Sequence, residues 1–175
     1  MIALLADVMG AAGLRCALIG GHAVNAWAEP RYTKDFDLVV MADAPAVSAV
    51  MSRLVEEGFS VTRLQEPNAG SGPDFIRLER GDRPDIVEFQ AAKTDYQELI
   101  IERAIQLTGA RLPVATPEDL LVLKLIANRV KDQDDMFRLS QQDGIDWQYV
   151  EHWAAIWDVS NRLENLRRII ASGSL

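Results

Sequence analysis

Between Cys16 and Val40 the chain runs through an apolar stretch, two glycines, a helix-forming segment and a polar approach to Asp-Phe-Asp, and this order admits few folds. Cys16-Ala17-Leu18-Ile19 reads as a short buried strand, Gly20-Gly21 as its end, and His22 to Ala28 as a helix. Asp35 and Asp37 then flank Phe36 ahead of Leu38-Val39-Val40. In a strand, residues i and i+2 share a face, so the two carboxylates project together while Phe36, Leu38 and Val40 point the other way. Asp is a poor strand former, and two like charges held this close repel unless a cation lies between them. Hard oxygen ligands on an open rim suit Mg²⁺ or Mn²⁺. Taken alone, the pair also reads as two solvated aspartates at a strand start, and Gly-Gly as a tight turn. Together they supply complementary halves of one site. Residues without Cβ let backbone N–H groups and a positive helix N-terminus approach phosphate, while carboxylates hold the metal that bridges it.

Gly20-Gly21, a helix, and Arg31-x-Thr33-x-Asp35-x-Asp37 followed by Leu38-Val39-Val40 resemble the signature of the nucleotidyltransferase superfamily, especially its minimal and AbiEii-like toxin branches. Many members carry Gly-Ser where this chain has Gly20-Gly21, so a hydroxyl that would touch phosphate is replaced by hydrogen. The resemblance extends to Leu123-Lys124-x-x-Ala127 and to Lys131-Asp132-x-x-Asp135, in the expected order. It implies an α/β (α+β) nucleotidyltransferase fold: a small mixed β-sheet flanked by helices over residues 1–109, then a helical region over 110–175 that completes the cleft. It also implies a third metal-binding carboxylate on a strand beside the Asp-x-Asp strand, and Asp85-Ile86-Val87 matches that placement. Glu88 is a rival, on the opposite strand face from Asp85, so the two cannot serve the same ion. By the same resemblance Gly20, Gly21 and Lys124 meet the phosphates, and Lys131, Asp132 and Asp135 form a second wall for the nucleotide.

The remaining chain fits this frame. Ile2, Leu4, Leu5, Val8 and Met9 recur at helical spacing before Gly13, and Asp43-Ala44-Pro45 opens a helix whose stripe is Val47, Val50, Met51, Leu54 and Val55. Phe59 to Leu64 reads as a strand, and Asp74 to Glu79 with Asp85 to Gln90 as a hairpin turned at Arg80-Gly81-Asp82-Arg83-Pro84. Gln65 to Pro73 is a loop, either a surface connection or a cover for substrate. Thr94 to Leu107 is a helix with Leu99, Ile100, Ala104 and Leu107 on its apolar side, and Leu112 to Ala115 is extended. Thr116-Pro117-Glu118-Asp119 starts a helix, with Thr as N-cap and Pro in the first turn. On it Lys124 stands among Leu120, Leu121, Leu123, Leu125 and Ile126, either snorkelling to water or neutralising phosphate. Asp132 and Asp135 share a helix face within reach of Arg129 and Lys131, as surface ion pairs do too. Asp146 to Trp157 and Ser160 to Ile170 read as two helices, with Trp147, Trp153 and Trp157 as core.

Charge and cysteine content narrow the function classes. With 18 basic and 26 acidic residues the net charge is -8, which disfavours a non-specific binder of bulk nucleic acid. The single cysteine excludes an intrachain disulfide, and no apolar stretch is long enough to span a membrane, so a cytoplasmic protein is expected. The expected activity is transfer of a nucleoside monophosphate from a nucleoside triphosphate to an RNA 3′ end, a protein or a small molecule, with Mg²⁺ or Mn²⁺. An antitoxin protein is an implied partner. The non-enzymatic alternative is a nucleotide- or partner-binding module on a degenerate transferase fold. In haloacid-dehalogenase-like phosphatases the apolar strand precedes the acid pair, whereas here Leu38 to Val40 follow it, which argues against that chemistry.

Overall fold

Helix α1 (Ile2–Ala12) buries Leu5, Val8 and Met9 and ends at Gly13, whose φ of 62° lets its N–H reach the last helical carbonyls. Strand β1 (Cys16–Ile19) follows with every residue buried, then α2 (Gly20–Trp27) and β2 (Asp35–Met41). The structure is a computed structural model that describes residues 1–41, 43–65, 73–81 and 85–172. Asp43 caps α3 (Ala44–Glu56) by accepting the Ala46 N–H at 3.0 Å, and β3 (Ser60–Gln65), β4 (Phe75–Arg80) and β5 (Asp85–Ala92) follow. Five helices complete the chain: α4 (Asp95–Arg103), α5 (Pro117–Ala127), α6 (Val130–Ser140), α7 (Trp147–Ile156) and α8 (Ser160–Ser172).

The five strands form one mixed sheet in the order β1-β2-β5-β4-β3, in which β2 and β5 are parallel and the other neighbours antiparallel. One face is apolar. Phe36, Leu38 and Val40 of β2 align with Val87, Phe89 and Ala91 of β5, and Val87 and Phe89 align in turn with Leu78 and Ile76 of β4. Leu38, Val87 and Leu78 are fully buried there. Ala44, Val47, Ser48 and Met51 of α3 line a cavity with Val40, Ile76 and Phe89 of that face, and α4 packs against β1, β2 and β5, burying Tyr96, Ile100 and Ile101. Ala104 and Leu107, expected on that apolar side, lie beyond the helix, which stops at Arg103 because Ile105 leaves to pair with Val114.

The chain forms two compact units, Met1–His22 with Tyr32–Ala115 and Ala23–Arg31 with Thr116–Leu175. The first contains the sheet. Its boundary lies at Ala115 rather than at 109, because Leu18 of β1 donates to the Pro113 carbonyl at 2.8 Å and accepts from Ala115 at 3.0 Å. In the second unit α5 packs on α6 and α7, and α8 on α6 and α7. Trp147 and Trp157 stand at the two ends of α7, where the helix has left the core, so Val150 and Ala154 take the buried positions expected of the tryptophans. Trp153 is half-buried, edge-on to Tyr149. Residues 66–72 of the expected Gln65–Pro73 loop, and 82–84 of the expected Arg80–Pro84 turn, lie outside the described residues.

The start of α5 carries a buried polar knot. The Thr116 hydroxyl donates to Asp119 Oδ2 at 2.8 Å and accepts the Asp119 N–H at 3.3 Å, while the Tyr149 hydroxyl donates to Asp119 Oδ1 at 2.5 Å. Thr116→Val removes both the cap and one partner of a fully buried carboxylate. It is expected to cost about 1–2 kcal/mol in urea denaturation, and an unchanged midpoint would contradict the capping role.

Candidate active site

Strand β2 leaves the core at its first residues: Asp35, Phe36 and Asp37 are partly exposed, whereas Leu38 to Val40 are buried. The two aspartates share a face, and the turn before α2 is built around one of them. A Cβ placed on Gly20, whose φ is +65°, would meet Asp37 Oδ2 at 1.9 Å, and one placed on Gly21 would meet Thr33 Oγ1 at 2.5 Å. The two glycines therefore make room for Asp37 and Thr33, bringing that carboxylate and hydroxyl directly against the first turn of α2. The space above their Cα atoms is filled by these side chains. What the helix start offers a phosphate is its backbone N–H groups. His22 packs flat on Phe36, ring centroids 3.9 Å apart, and holds the apolar side of the strand.

The third carboxylate is decided by register. Asp35 aligns with Ile86 and Asp37 with Glu88 across the parallel β2–β5 pair. Glu88 therefore projects to the face of Asp35 and Asp37, and Asp85 projects to the other face. There Asp85 pairs with Arg80 Nη2 at 2.8 Å, and Arg80 also lies over the Phe59 ring and donates to the Glu57 carbonyl. The expectation that Asp85 joins Asp35 and Asp37 is corrected on this ground, since a shift of one residue along a strand reverses the face. On the acid face Glu88 is paired with Arg77. Asp35, Asp37 and Glu88 form an oxygen-only donor set, which fits a hard divalent ion. Among the described residues no three metal-binding side chains are gathered tightly enough to enclose one.

The other predicted residues form a separate cluster in the second unit. Lys124, only 4% exposed, donates to Asp132 Oδ1 at 3.1 Å and to Asp135 Oδ2 at 2.5 Å. Arg31 grips Asp135 with a two-pronged fork, Nε to Oδ1 and Nη2 to Oδ2, each at 2.5 Å. Arg129 binds Asp132 through its backbone N–H and its guanidinium, both at 2.9 Å. Both aspartates are fully buried. Burial pushes their carboxyls up, but the hydrogen bonds and charge of Arg129 and Lys124 at Asp132, and of Arg31 and Lys124 at Asp135, outweigh it and hold both below the ordinary value. Lys124 is thus paired internally: an ammonium buried on an apolar helix needs carboxylate partners, and α6 supplies two. Lys131 stays exposed on α6, outside the cluster. Two participants were not assigned their parts from sequence. Arg31 lies 104 positions from Asp135, and Arg77 showed only as a polar residue in an alternating strand.

Residues 3–170 match the family described as nucleotidyl transferase AbiEii toxin, Type IV TA system. No curated protein sequence is a significant match to the chain. Among solved structures, ANT(2″)-Ia in complex with adenylyl-2″-tobramycin is similar at 15% identity and a TM-score of 0.61, over 90% of this chain and 94% of that one. An antigenic nucleotidyltransferase-like protein from Paracoccidioides brasiliensis is similar at 16% identity and a TM-score of 0.55, over 97% and 90% of the two chains. A nucleotidyltransferase from Helicobacter pylori, described as putative, is similar at 15% and 0.56, over 97% and 77%. At these identities the likeness is one of fold, and the mixed sheet with flanking helices agrees with it.

Two outcomes follow from the geometry. Gly20→Ala forces a Cβ into Asp37 at a positive φ, so it is expected to lower the melting temperature, and Asp37→Gly on the same background should recover part of the loss. Asp132 and Asp135 have folded pKa values below the ordinary 3.8, so their stabilisation is complete above that pH and is lost as pH falls through the lower folded values. Asp135→Asn takes from Arg31 and Lys124 the carboxylate they share, leaving Lys124 with Asp132, and should cost about 3–5 kcal/mol at neutral pH. Urea titrations should show that gap narrowing below about pH 4, and a gap constant with pH would contradict the charged cluster.

Proposed function

The chain belongs to the AbiEii nucleotidyltransferase family, and from that premise we propose that it moves a nucleoside monophosphate from a nucleoside triphosphate to an acceptor hydroxyl, releasing pyrophosphate. The observation that carries this reading is the shared face of Asp35 and Asp37, with Asp37 seated on Gly20 at the start of α2. Asp35, Asp37 and Glu88, the last in place of Asp85, would hold Mg²⁺ or Mn²⁺. Such an ion, when bound, offsets triphosphate charge and stabilises the attacking and leaving oxygens. The first N–H groups of α2 bind phosphate oxygens beside it. As the acceptor oxygen bonds to the α-phosphorus and the bond to pyrophosphate breaks, a carboxylate of this face takes the hydroxyl proton. Lys124, Asp132 and Asp135 serve in this reading as the frame of the second unit, and Lys131, exposed, is the member of that motif able to meet phosphate.

The acceptor is a hydroxyl on an RNA 3′ end, a protein or a small molecule. A net charge of -8 speaks against bulk nucleic acid, whose binding rests on clustered cations. Likeness to a protein solved with adenylyl-2″-tobramycin supports a small-molecule acceptor, and the family's Type IV toxin–antitoxin description supports an antitoxin partner. Among the described residues no helix is long and apolar enough to cross a membrane.

The test is to incubate the protein with Mg²⁺, each labelled nucleoside triphosphate in turn, and separate pools of RNA, protein and small molecules. One pool should acquire label, and Asp37→Asn should lose roughly 100-fold or more of the rate while melting at or above the wild-type temperature. Absence of label from every pool, or an Asp37→Asn variant of undiminished rate, would overturn the assignment.

A further inference from the structure

A guanidinium stands on the acid face itself. Arg77 of β4 lies directly opposite Glu88 of β5, which aligns on its other side with Asp37 of β2. Arg77 Nη1 contacts Glu88 Oε1 at 2.5 Å, and its Nε donates to Glu79 Oε1 at 2.7 Å. Glu79 is held a second time, by the Thr62 hydroxyl at 3.3 Å. The two contacts use different nitrogens, so the one to Glu88 can break while the one to Glu79 persists. The hydrogen bond from Arg77 holds the Glu79 carboxyl below its ordinary value.

Neighbouring strands are about 4.8 Å apart, so Glu88 and Asp37 present like charges at close quarters. We propose that Arg77 is a stand-in cation. It neutralises Glu88 while the acid face holds no divalent ion, and it yields Glu88 to that ion while keeping Glu79 as its partner. The inference rests on Glu88 belonging to the metal-binding set. Because the displaced guanidinium keeps a carboxylate, no charge is stranded when the exchange occurs, and the exchange costs only what a partly buried ion pair at the sheet surface is worth. Arg77 thereby weakens binding of the bare ion and leaves metal binding more dependent on the phosphates that arrive with the nucleotide.

The test is Mn²⁺ titration of the full chain without nucleotide, followed by the loss of the free-ion paramagnetic resonance signal. Arg77→Gln should tighten Mn²⁺ binding roughly two- to five-fold, the size expected of such a pair. Glu79→Gln, which leaves Arg77 with Glu88 alone, should weaken it. Arg63→Gln removes the same charge from the facing position on β3 without touching Glu88, and should leave affinity unchanged. Glu88→Gln should weaken binding, and adding Arg77→Gln to it should gain nothing. Unchanged or weaker binding in Arg77→Gln, or equal tightening in Arg63→Gln, overturns the stand-in role while Glu88→Gln still weakens binding. An unaffected Glu88→Gln overturns the underlying metal-site reading instead.

Discussion

The parallel pairing of β2 with β5 decides what the acid face contains. Pairing Asp37 with Glu88 places two carboxylates side by side and sends Asp85 to the apolar face, where Arg80 receives it. The same register lines up Phe36, Leu38 and Val40 with Val87, Phe89 and Ala91, so the alignment that buries the apolar side chains also assembles the charged ones. A slip of one residue would expose the first set and bury the second. The core's hydrophobic pattern thus protects the site's geometry, and the acid face inherits its precision from residues that do no chemistry.

A second constraint operates in the helical unit. A lysine on a helix that buries Leu120, Leu121, Val122 and Leu125 leaves its ammonium far from water, and Asp132 and Asp135 reach it from α6. Replacing such a cluster by apolar residues is often neutral, whereas removing one member strands a charge. Its value therefore lies in specification: it ties α5 to α6 and, through the Arg31 fork on Asp135, ties both to the Ala23–Arg31 segment of the same unit. Motifs that resemble nucleotide-binding elements in sequence can in this way hold the helical unit together.

Charge is balanced differently in the two places. In the buried cluster three cations meet two carboxylates and every carboxylate oxygen is bonded. On the acid face Arg77 serves Glu88 and Glu79, while Asp35 and Asp37 remain partly exposed at the end of a strand. Closed networks suit structure and open ones suit exchange with ligands, because a carboxylate in water can take a new partner without first losing a buried one.

Local chemistry was enough to read the elements. The Gly13 stop, the helix start at Asp43, the Thr116 cap, the apolar run at Cys16–Ile19 and the shared face of Asp35 and Asp37 depend on residues within a few positions of one another, and each was legible in the chain. Family membership was legible too, from motifs in order. Partnership across distance was not. Whether Asp85 or Glu88 shares the face of the acid pair depends on strand register, and the pairing of Lys124 with Asp132 and Asp135 depends on how α6 packs on α5. The burial of Ile101 rather than Leu107 depends on where Ile105 leaves the helix to pair with Val114. Periodicity states which residues share a face of one element, but the neighbour that face meets is chosen by long-range packing, and only the tertiary structure decided it.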